Sequence, residues 1–332
     1  MWGQWIFQSW NSNKWKIERT LEWKLYVVLV YIKDKVFYTV KENIKLENKK
    51  ALKYNQGDVL LVDNKSLELI KNLGNIEDPK IDELISLHLY NEIYRLEKHL
   101  EVNALMDDKK QRVDLRDLYF CTIDPNSAKD HDDAIYFDTK ENILYVAIAD
   151  VSYFVKEGSE LDLLAFKKST SVYLPTKVLP MLPPILSEEM CSLKEGVDRY
   201  SYVFKLHLDL ENLSVKKAEL FEAIINSHKN FSYGRIDRVI EGHLDQYSKT
   251  EKAIFDYLIP LYEITKKFRK RRLIKGYDFR TTENRLKLKN DNLESIEVET
   301  STASHQLVEE CMLLANIEAS KKVNTVGIYR IH

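Results

Sequence analysis

A loop that carries four aspartates between two strand-like apolar segments constrains this chain more than any other feature. The segments are 119–124 and 134–137, and the four aspartates are Asp124, Asp130, Asp132 and Asp133. Alternation along a strand places Asp130 and Asp132 on the same side of the backbone. At an effective dielectric constant of about 20, two carboxylates about 4 Å apart repel by roughly 4 kcal/mol. Some of the aspartates must therefore be protonated, or a hard divalent cation must lie among them.

The residue types of this loop favour one class of ion. Carboxylate donors, without a thiol or an obligate imidazole, favour Mg²⁺ or Mn²⁺ over Zn²⁺. Such a site suits phosphodiester hydrolysis, because the metal activates water and neutralises charge on the phosphate. Spacing alone leaves open an acidic solvated turn and a sugar-nucleotide site of the D-x-D type at Asp130-His131-Asp132. An EF-hand calcium loop does not fit, because its central glycine and terminal glutamate are absent.

Composition and missing motifs exclude several other classes of protein. The 50 Lys and Arg residues balance 52 Asp and Glu residues, so a nucleic-acid partner must be held by local patches. The sequence has no G-x-G, GxxxxGK[ST], HExxH or GxSxG motif. Three widely spaced cysteines indicate reduced thiols in a cytoplasmic protein. The longest apolar run, 25–32, is shorter than the roughly 20 residues that cross a bilayer, so we expect no membrane partner.

Periodicity predicts an α+β protein with two folded regions. All five tryptophans lie within 1–23, which we interpret as a leader of uncertain order. Short strand-like runs predict a small OB-like or cold-shock-like β-barrel over 24–72, followed by a helical linker over 73–108 and a mixed α/β region over 109–332. The predicted strands are 25–32, 36–40, 58–62, 119–124, 134–137 and 144–149, and the predicted helices are 80–105, 252–272, 305–323 and one that begins after Ser159.

Several ordered motifs around the aspartates resemble the catalytic domain of the RNase II/RNase R (RNB-domain) family. The series opens with RVDLR (112–116), TID (122–124) and AKDHDDAIY (128–136). It continues with AIADVSYFV (147–155), TSVYLP (170–175), PMLPPILSEEMCSLKEGVDR (180–199) and HQLVEECMLLAN (305–316). The resemblance covers about residues 110–332 and implies an RNB-type catalytic domain there.

The resemblance also implies an activity and a set of site residues. The activity is hydrolytic, processive 3′-to-5′ degradation of single-stranded RNA to nucleoside 5′-monophosphates with Mg²⁺, carried out by a monomer. The four aspartates take the catalytic and metal-binding roles. Tyr173 and Phe279 stack on bases, and Tyr233 and Glu309 favour ribose over deoxyribose. Stacking on an aromatic ring tolerates any base, and selecting RNA requires a polar group near the 2′-hydroxyl.

Two more features bear on this hypothesis. The basic run KKFRKRR (266–272) is a candidate for phosphate contacts, and a solvated helix end is the open alternative. His131, between two aspartates, is interpreted as a residue that supports the metal ligands rather than as a ligand itself.

The resemblance breaks off where the sequence ends, at His332. We therefore expect a chain truncated within the catalytic domain. It would lack the family motif with an arginine at the scissile phosphate, and it would lack the S1 RNA-binding domain. The alternative to an active enzyme is a catalytically silent fragment that still binds RNA.

Overall fold

The computed structural model describes residues 4–6, 10–11, 14–15, 19–21, 27–46, 49–63, 65–90, 112–243, 246–274, 276, 283–289 and 292–323. The chain forms two compact units, one built mainly from residues 1–97 and the other mainly from residues 98–332. Both units combine strands with helices, so the predicted α+β class is confirmed. Among the described helices, none is long and apolar enough to span a membrane.

Within the described residues, four small strand pairs lie outside the main sheets. Near the N-terminus, β1 (Gln4–Ile6) pairs with β4 (Arg19–Leu21), and β2 (Trp10–Asn11) pairs with β3 (Lys14–Trp15). Further along the chain, β14 (Val172–Tyr173) pairs with β15 (Val178–Leu179). The fourth pair consists of β18 (Glu283–Lys289) and β19 (Asn292–Glu299).

The first unit contains a five-stranded antiparallel sheet in the order β7-β6-β5-β8-β9. Its strands are β5 (Val27–Lys33), β6 (Val36–Thr39), β7 (Lys45–Leu46), β8 (Asp58–Asp63) and β9 (Leu69–Asn75). The turn between β5 and β6 places both Asp34 and Lys35 at positive φ. Positive φ at both central residues matches the twist of a two-residue hairpin. The strands predicted over 25–32, 36–40 and 58–62 correspond to β5, β6 and β8, and residues 25 and 26 lie outside the described residues.

Alternating side chains give this sheet two apolar faces, each with its own core. One core is formed by Val30, Ile32, Phe37, Ala51, Leu60 and Val62. The other joins Leu29, Val59, Leu61 and Leu73 to Ile81 of α1 (Lys80–Tyr90). Helix α1 begins where the sequence predicts, and the rest of the predicted helix, 91–105, lies outside the described residues.

The second unit is organised around a six-stranded sheet in the order β10-β17-β11-β12-β13-β16. The long strand β17 pairs with β16 along its first part and with β11 at its end, so five of the strands form a closed ring. These strands are β10 (Val113–Asp114), β11 (Phe120–Asp124), β12 (Asp133–Asp138), β13 (Ile143–Ala149), β16 (Asp198–Asp209) and β17 (Ser214–Ser232). The predicted strands 119–124, 134–137 and 144–149 are confirmed.

Three helices pack on one side of this sheet: α4 (Tyr233–Ile240), α5 (Lys249–Arg272) and α6 (Ala303–Ser320). A capping box at Ser248 and Glu251 starts α5, which satisfies two backbone donors of its first turn. The buried Tyr257 hydroxyl donates to the carbonyl oxygens of Tyr119 and Ile135, at 2.8 and 3.1 Å. Helix α5 is thereby fastened to both strands that flank the aspartate loop.

A second core lies on the other side of the sheet, next to the short helices α2 (Val151–Phe154) and α3 (Glu160–Lys168) and the π-helical turn Ile185–Met190. The predicted start of α3 is confirmed, because Ser159 is its N-cap and its hydroxyl accepts a hydrogen bond from the Asp162 amide. Arg112 and Asp150, both 2% exposed, form an ion pair of 2.8 Å beside this core.

Candidate active site

Sheet topology places the four aspartates at one end of neighbouring strands. Asp124 is the last residue of β11, and Asp133 is the first residue of the antiparallel strand β12. The pairing of Cys121 with Ile135 sets the register, so the loop from Asp124 to Asp133 stays at this end of the sheet. Asp132 is exposed, and the other three aspartates are partly buried. The structure therefore brings the predicted site residues into one region.

The aspartates influence one another electrostatically. Burial, reinforced by the charges of Asp124 and Asp132, raises the pKa of Asp133 from its usual 3.8 to about 7. Asp132 is exposed at its surface but is partly desolvated by the surrounding loop, and this desolvation, followed by the charges of Asp130 and Asp124, also raises its pKa. Across the described residues, however, no three Asp, Glu, His or Cys side chains are gathered tightly enough to form a ready-made metal site. Metal binding would require the carboxylates to turn towards a common point.

His131 contacts one of the predicted ligands directly. Its Nδ1 lies 2.6 Å from Oδ2 of Asp124, and since a carboxylate can only accept, Nδ1 is the donor. The same nitrogen lies 3.3 Å from the Thr122 hydroxyl. The ring thus contacts the Asp124 carboxylate from the side of β11, and its supporting role in a metal site stays a prediction.

Tyr233 is brought beside Asp124 by the pairing of two parallel strands. Asp124 on β11 is opposite Ser232 on β17, and Tyr233 follows as the first residue of α4. Burial, followed by the charges of Asp124 and Asp133, raises the pKa of the Tyr233 hydroxyl to about 12. The phenol therefore stays protonated at neutral pH and can donate a hydrogen bond.

His305, which our sequence analysis did not single out, stacks on Tyr233. The ring centroids are 3.7 Å apart and the planes meet at 14°. His305 also contacts the N-cap residue of α6, Thr302, through Nδ1 and the threonine hydroxyl at 2.6 Å. One sequence signal could have revealed it: His305 precedes Glu309 by four residues, so the two share a helix face.

The arginines of the basic run 266–272 are bonded within the protein, so a phosphate contact by this run stays a prediction. Arg269 donates to Glu309 at 2.7 Å, and Arg272 bonds the buried Glu310. Arg271 donates to the backbone carbonyl of Leu213 at 2.8 Å. All three arginines are thus engaged within the protein. Glu309 nevertheless keeps 43% of its side chain exposed, so a ligand can still reach it.

The two predicted base-stacking residues have different outcomes. Tyr173, in β14, is 71% exposed, and partial burial followed by the charges of Asp130 and Asp132 raises its pKa. An exposed aromatic ring therefore lies within electrostatic range of the aspartate loop. Phe279 lies outside the described residues, so its predicted role stays a prediction.

Comparison with known proteins identifies this arrangement. The RNB domain matches residues 112–332, which include the aspartates, Tyr173, Tyr233 and Glu309. The chain belongs to the RNB-domain family. The second OB domain of ribonuclease R matches residues 29–87, in the five-stranded sheet and α1. The family resemblance seen in the sequence and the predicted order of an OB-type domain followed by an RNB domain are confirmed.

Curated relatives of this RNB protein include several ribonucleases R. The ribonuclease R of Helicobacter pylori strain 26695 is 36% identical over 303 residues, which cover 87% of this chain and 46% of the relative. That of Escherichia coli K12 is 37% identical over 234 residues, which cover 68% of this chain and 28% of the relative. The chain thus spans less than half of the length of these relatives.

Solved structures support the same fold. The RNase R of Mycoplasma genitalium in complex with double-stranded RNA gives a TM-score of 0.74 at 23% identity, over 93% of this chain and 60% of that one. Yeast Ssd1, described as a pseudonuclease, gives a TM-score of 0.62 at 16% identity, over 90% of this chain and 40% of that one. Because a nuclease and a pseudonuclease both resemble this chain, chemistry must be argued from the side chains rather than from the fold.

Proposed function

We propose that this chain carries the active site of a Mg²⁺-dependent exoribonuclease that hydrolyses single-stranded RNA from the 3′ end and releases nucleoside 5′-monophosphates. The observation that carries the proposal is the placement of four aspartates at one end of β11 and β12, inside an RNB domain and beside Tyr233. A pseudonuclease could keep the fold without these carboxylates. Their presence therefore favours catalysis.

The donor set fits a hard divalent cation. All four candidate ligands supply oxygen atoms, which suit Mg²⁺ or Mn²⁺. Carboxylates that raise one another's pKa carry more negative charge than His131 can balance, so a cation is the natural counter-charge. The bound metal would activate a water molecule and neutralise charge on the scissile phosphate. His131 would hold Asp124 in position.

The surrounding residues support recognition of single-stranded RNA. The exposed ring of Tyr173 offers a stacking surface, which is worth about 1–3 kcal/mol per base and does not depend on base identity. Tyr233 offers a protonated hydroxyl, and Glu309 offers carboxylate acceptors about one turn along α6 from His305, which stacks on Tyr233. Donor and acceptor groups of this kind can recognise a 2′-hydroxyl. Arg269 offsets the charge of Glu309, which would otherwise repel the phosphates.

Incubation of the 332-residue chain with 5′-labelled poly(A) tests the proposal. In Mg²⁺ we expect progressive shortening from the 3′ end and release of 5′-AMP, with both lost in EDTA. Asp132→Asn should abolish shortening. Asp256→Asn makes the same charge change at an exposed position of α5 and should leave the rate unchanged. Binding of RNA without shortening by the wild-type chain would contradict the enzymatic proposal and favour a silent RNA-binding protein.

We also propose that the protein acts as a reduced, monomeric cytoplasmic enzyme. Cys121, Cys191 and Cys311 are all buried free thiols, and burial raises the pKa of Cys121 and Cys191 to about 12. Unreactive thiols of this kind match a reducing compartment. Light scattering coupled to size-exclusion chromatography should give one chain of 39.1 kDa, and a dimer mass would refute the monomer.

A further inference from the structure

The segment Cys191-Ser192-Leu193, which has no role in the proposed chemistry, is hydrogen-bonded to the backbone of the aspartate loop. The Ser192 hydroxyl donates to the carbonyl oxygen of Lys129 at 2.9 Å and accepts from the amide of His131 at 3.0 Å. The amide of Leu193 donates to the carbonyl oxygen of His131 at 2.8 Å. One serine side chain therefore bonds the backbone on both sides of Asp130.

These contacts matter because the loop has few others of its own. Its remaining backbone hydrogen bonds in the described structure join Ala128 to Pro125 and Ala149 to Asp132. Asp130 itself lies between the two backbone groups that Ser192 bonds, and Asp132 follows immediately. Removal of the hydroxyl would release the loop where two candidate ligands are attached.

The segment that carries Ser192 is itself rigidly placed. Ser192 is fully buried, and its neighbours Cys191 and Leu193 are 3% and 1% exposed in the core. Arg199 on β16 donates to the Ser192 carbonyl at 2.9 Å and to the Glu189 carbonyl at 2.8 Å. The hydroxyl is therefore a fixed point from which the loop is positioned.

We infer that Ser192 is a positioning residue for the metal site: it fixes the backbone that carries Asp130 and Asp132, from which their carboxylates would turn towards a common divalent cation. This inference rests on the proposed function, because it assumes that these aspartates bind a metal. Residues that orient metal ligands typically contribute about 10- to 100-fold to metal affinity or activity. We expect Ser192→Ala to lie in that range.

Electron paramagnetic resonance of free Mn²⁺ measures how tightly the intact 332-residue chain binds the ion. This readout does not depend on activity. Ser192→Ala should weaken Mn²⁺ binding about 10- to 100-fold, and Asp132→Asn should weaken it at least as much. Ser201→Ala is the matched control: Ser201 is also fully buried, on β16, and within the described structure its hydroxyl makes no hydrogen bond. It should bind Mn²⁺ like the wild type.

Kinetics with labelled poly(A) separate positioning from general damage to the fold. In Ser192→Ala, kcat at low Mn²⁺ should fall while KM for RNA stays constant, and excess Mn²⁺ should restore the rate. Excess Mn²⁺ should not rescue Asp132→Asn, because a ligand is missing. If Ser192→Ala does not fold, Ser192→Cys keeps the volume and weakens the hydrogen bonds, so it should show the same loss of Mn²⁺ affinity.

The outcomes distinguish this inference from the proposed function. Wild-type Mn²⁺ affinity in folded Ser192→Ala or Ser192→Cys, together with a loss in Asp132→Asn, would overturn the role of Ser192 and leave the metal site standing. Absence of Mn²⁺ binding by the wild-type chain would refute both. An equal loss in Ser201→Ala would also overturn the inference, because any buried serine would then have the same effect.

Discussion

Replacement of Asp133 by asparagine should raise the stability of the metal-free protein at neutral pH, even though it removes a predicted ligand. The pKa of Asp133 in the folded chain is about 7, above the usual 3.8. Between these two values the folded state holds a proton that the unfolded state has released, so stability falls as the pH rises. Above about pH 7 this loss of stability reaches its full size, and below about pH 4 there is no loss. Asparagine does not ionise, so the variant does not lose this stability as the pH rises.

The structure sets the size of the effect. The interval from 3.8 to about 7 spans roughly three pH units, and each is worth about 1.4 kcal/mol, which gives an upper limit of about 4 kcal/mol. Asp133 keeps some contact with water, which screens its charge. We therefore expect a gain of about 2 kcal/mol at pH 7.5. For a unit of this size that corresponds to a rise of about 4–8 °C in Tm.

Thermal unfolding in EDTA, measured from pH 4.5 to pH 8 by circular dichroism, tests this prediction. The Tm difference between Asp133→Asn and wild type should be small at pH 4.5 and should grow to its full value above about pH 7. The exposed control Asp256→Asn should show a small difference that does not follow this curve. A variant that is no more stable than wild type at pH 7.5, or one whose gain is independent of pH, would refute the reasoning. Addition of Mn²⁺ should stabilise the wild type more than the variant.

Three other predictions concern single residues. Tyr173→Ala should raise KM for poly(A) by about 5- to 150-fold, the equivalent of 1–3 kcal/mol of stacking. The Tm should change little because the ring is exposed, and an unchanged KM would show that Tyr173 does not contact the RNA. His305→Ala removes the ring stacked on Tyr233. In competition binding, the preference of the protein for RNA over DNA oligonucleotides should fall, and an unchanged preference would show that the stack does not position the tyrosine. Arg112→Met leaves the carboxylate of Asp150 buried without its ion pair, which should lower the free energy of unfolding by about 3–5 kcal/mol; a loss below about 1 kcal/mol in urea denaturation would contradict this account.

Local patterns were sufficient to predict the strands that flank the aspartate loop and the starts of two helices. The apolar runs of β11, β12 and β13, the N-cap at Ser159 and the start of α1 at Lys80 are all found where the sequence places them. Each depends on a few consecutive residues, on alternation along a strand or on a side chain that bonds its own backbone. The aspartates could be found for the same reason, because they lie within ten residues of one another.

Contacts between distant segments could not be predicted in this way. The stack of His305 on Tyr233 and the bonds from Ser192 to the aspartate loop join residues more than 60 positions apart. The basic run 266–272 shows the limit most clearly. Its charge pattern left open phosphate contacts and a solvated helix end, and it gave no sign that Arg269 and Arg272 pair with glutamates of α6, a helix that begins some 30 residues later.

The sequence by itself determined β11, β12 and β13 beside the aspartate loop, the long helices α5 and α6, the family and the chemical character of the loop. These follow from short-range patterns and side-chain types, whereas the long strands β16 and β17 and helix α4 were not predicted. Only the tertiary structure decided which groups surround that loop. Parallel pairing of β11 with β17 brings Tyr233 beside Asp124, and close packing of 191–193 against 129–131 bonds the loop from behind. Such neighbours depend on how the strands of a sheet are ordered in space, which no local pattern specifies.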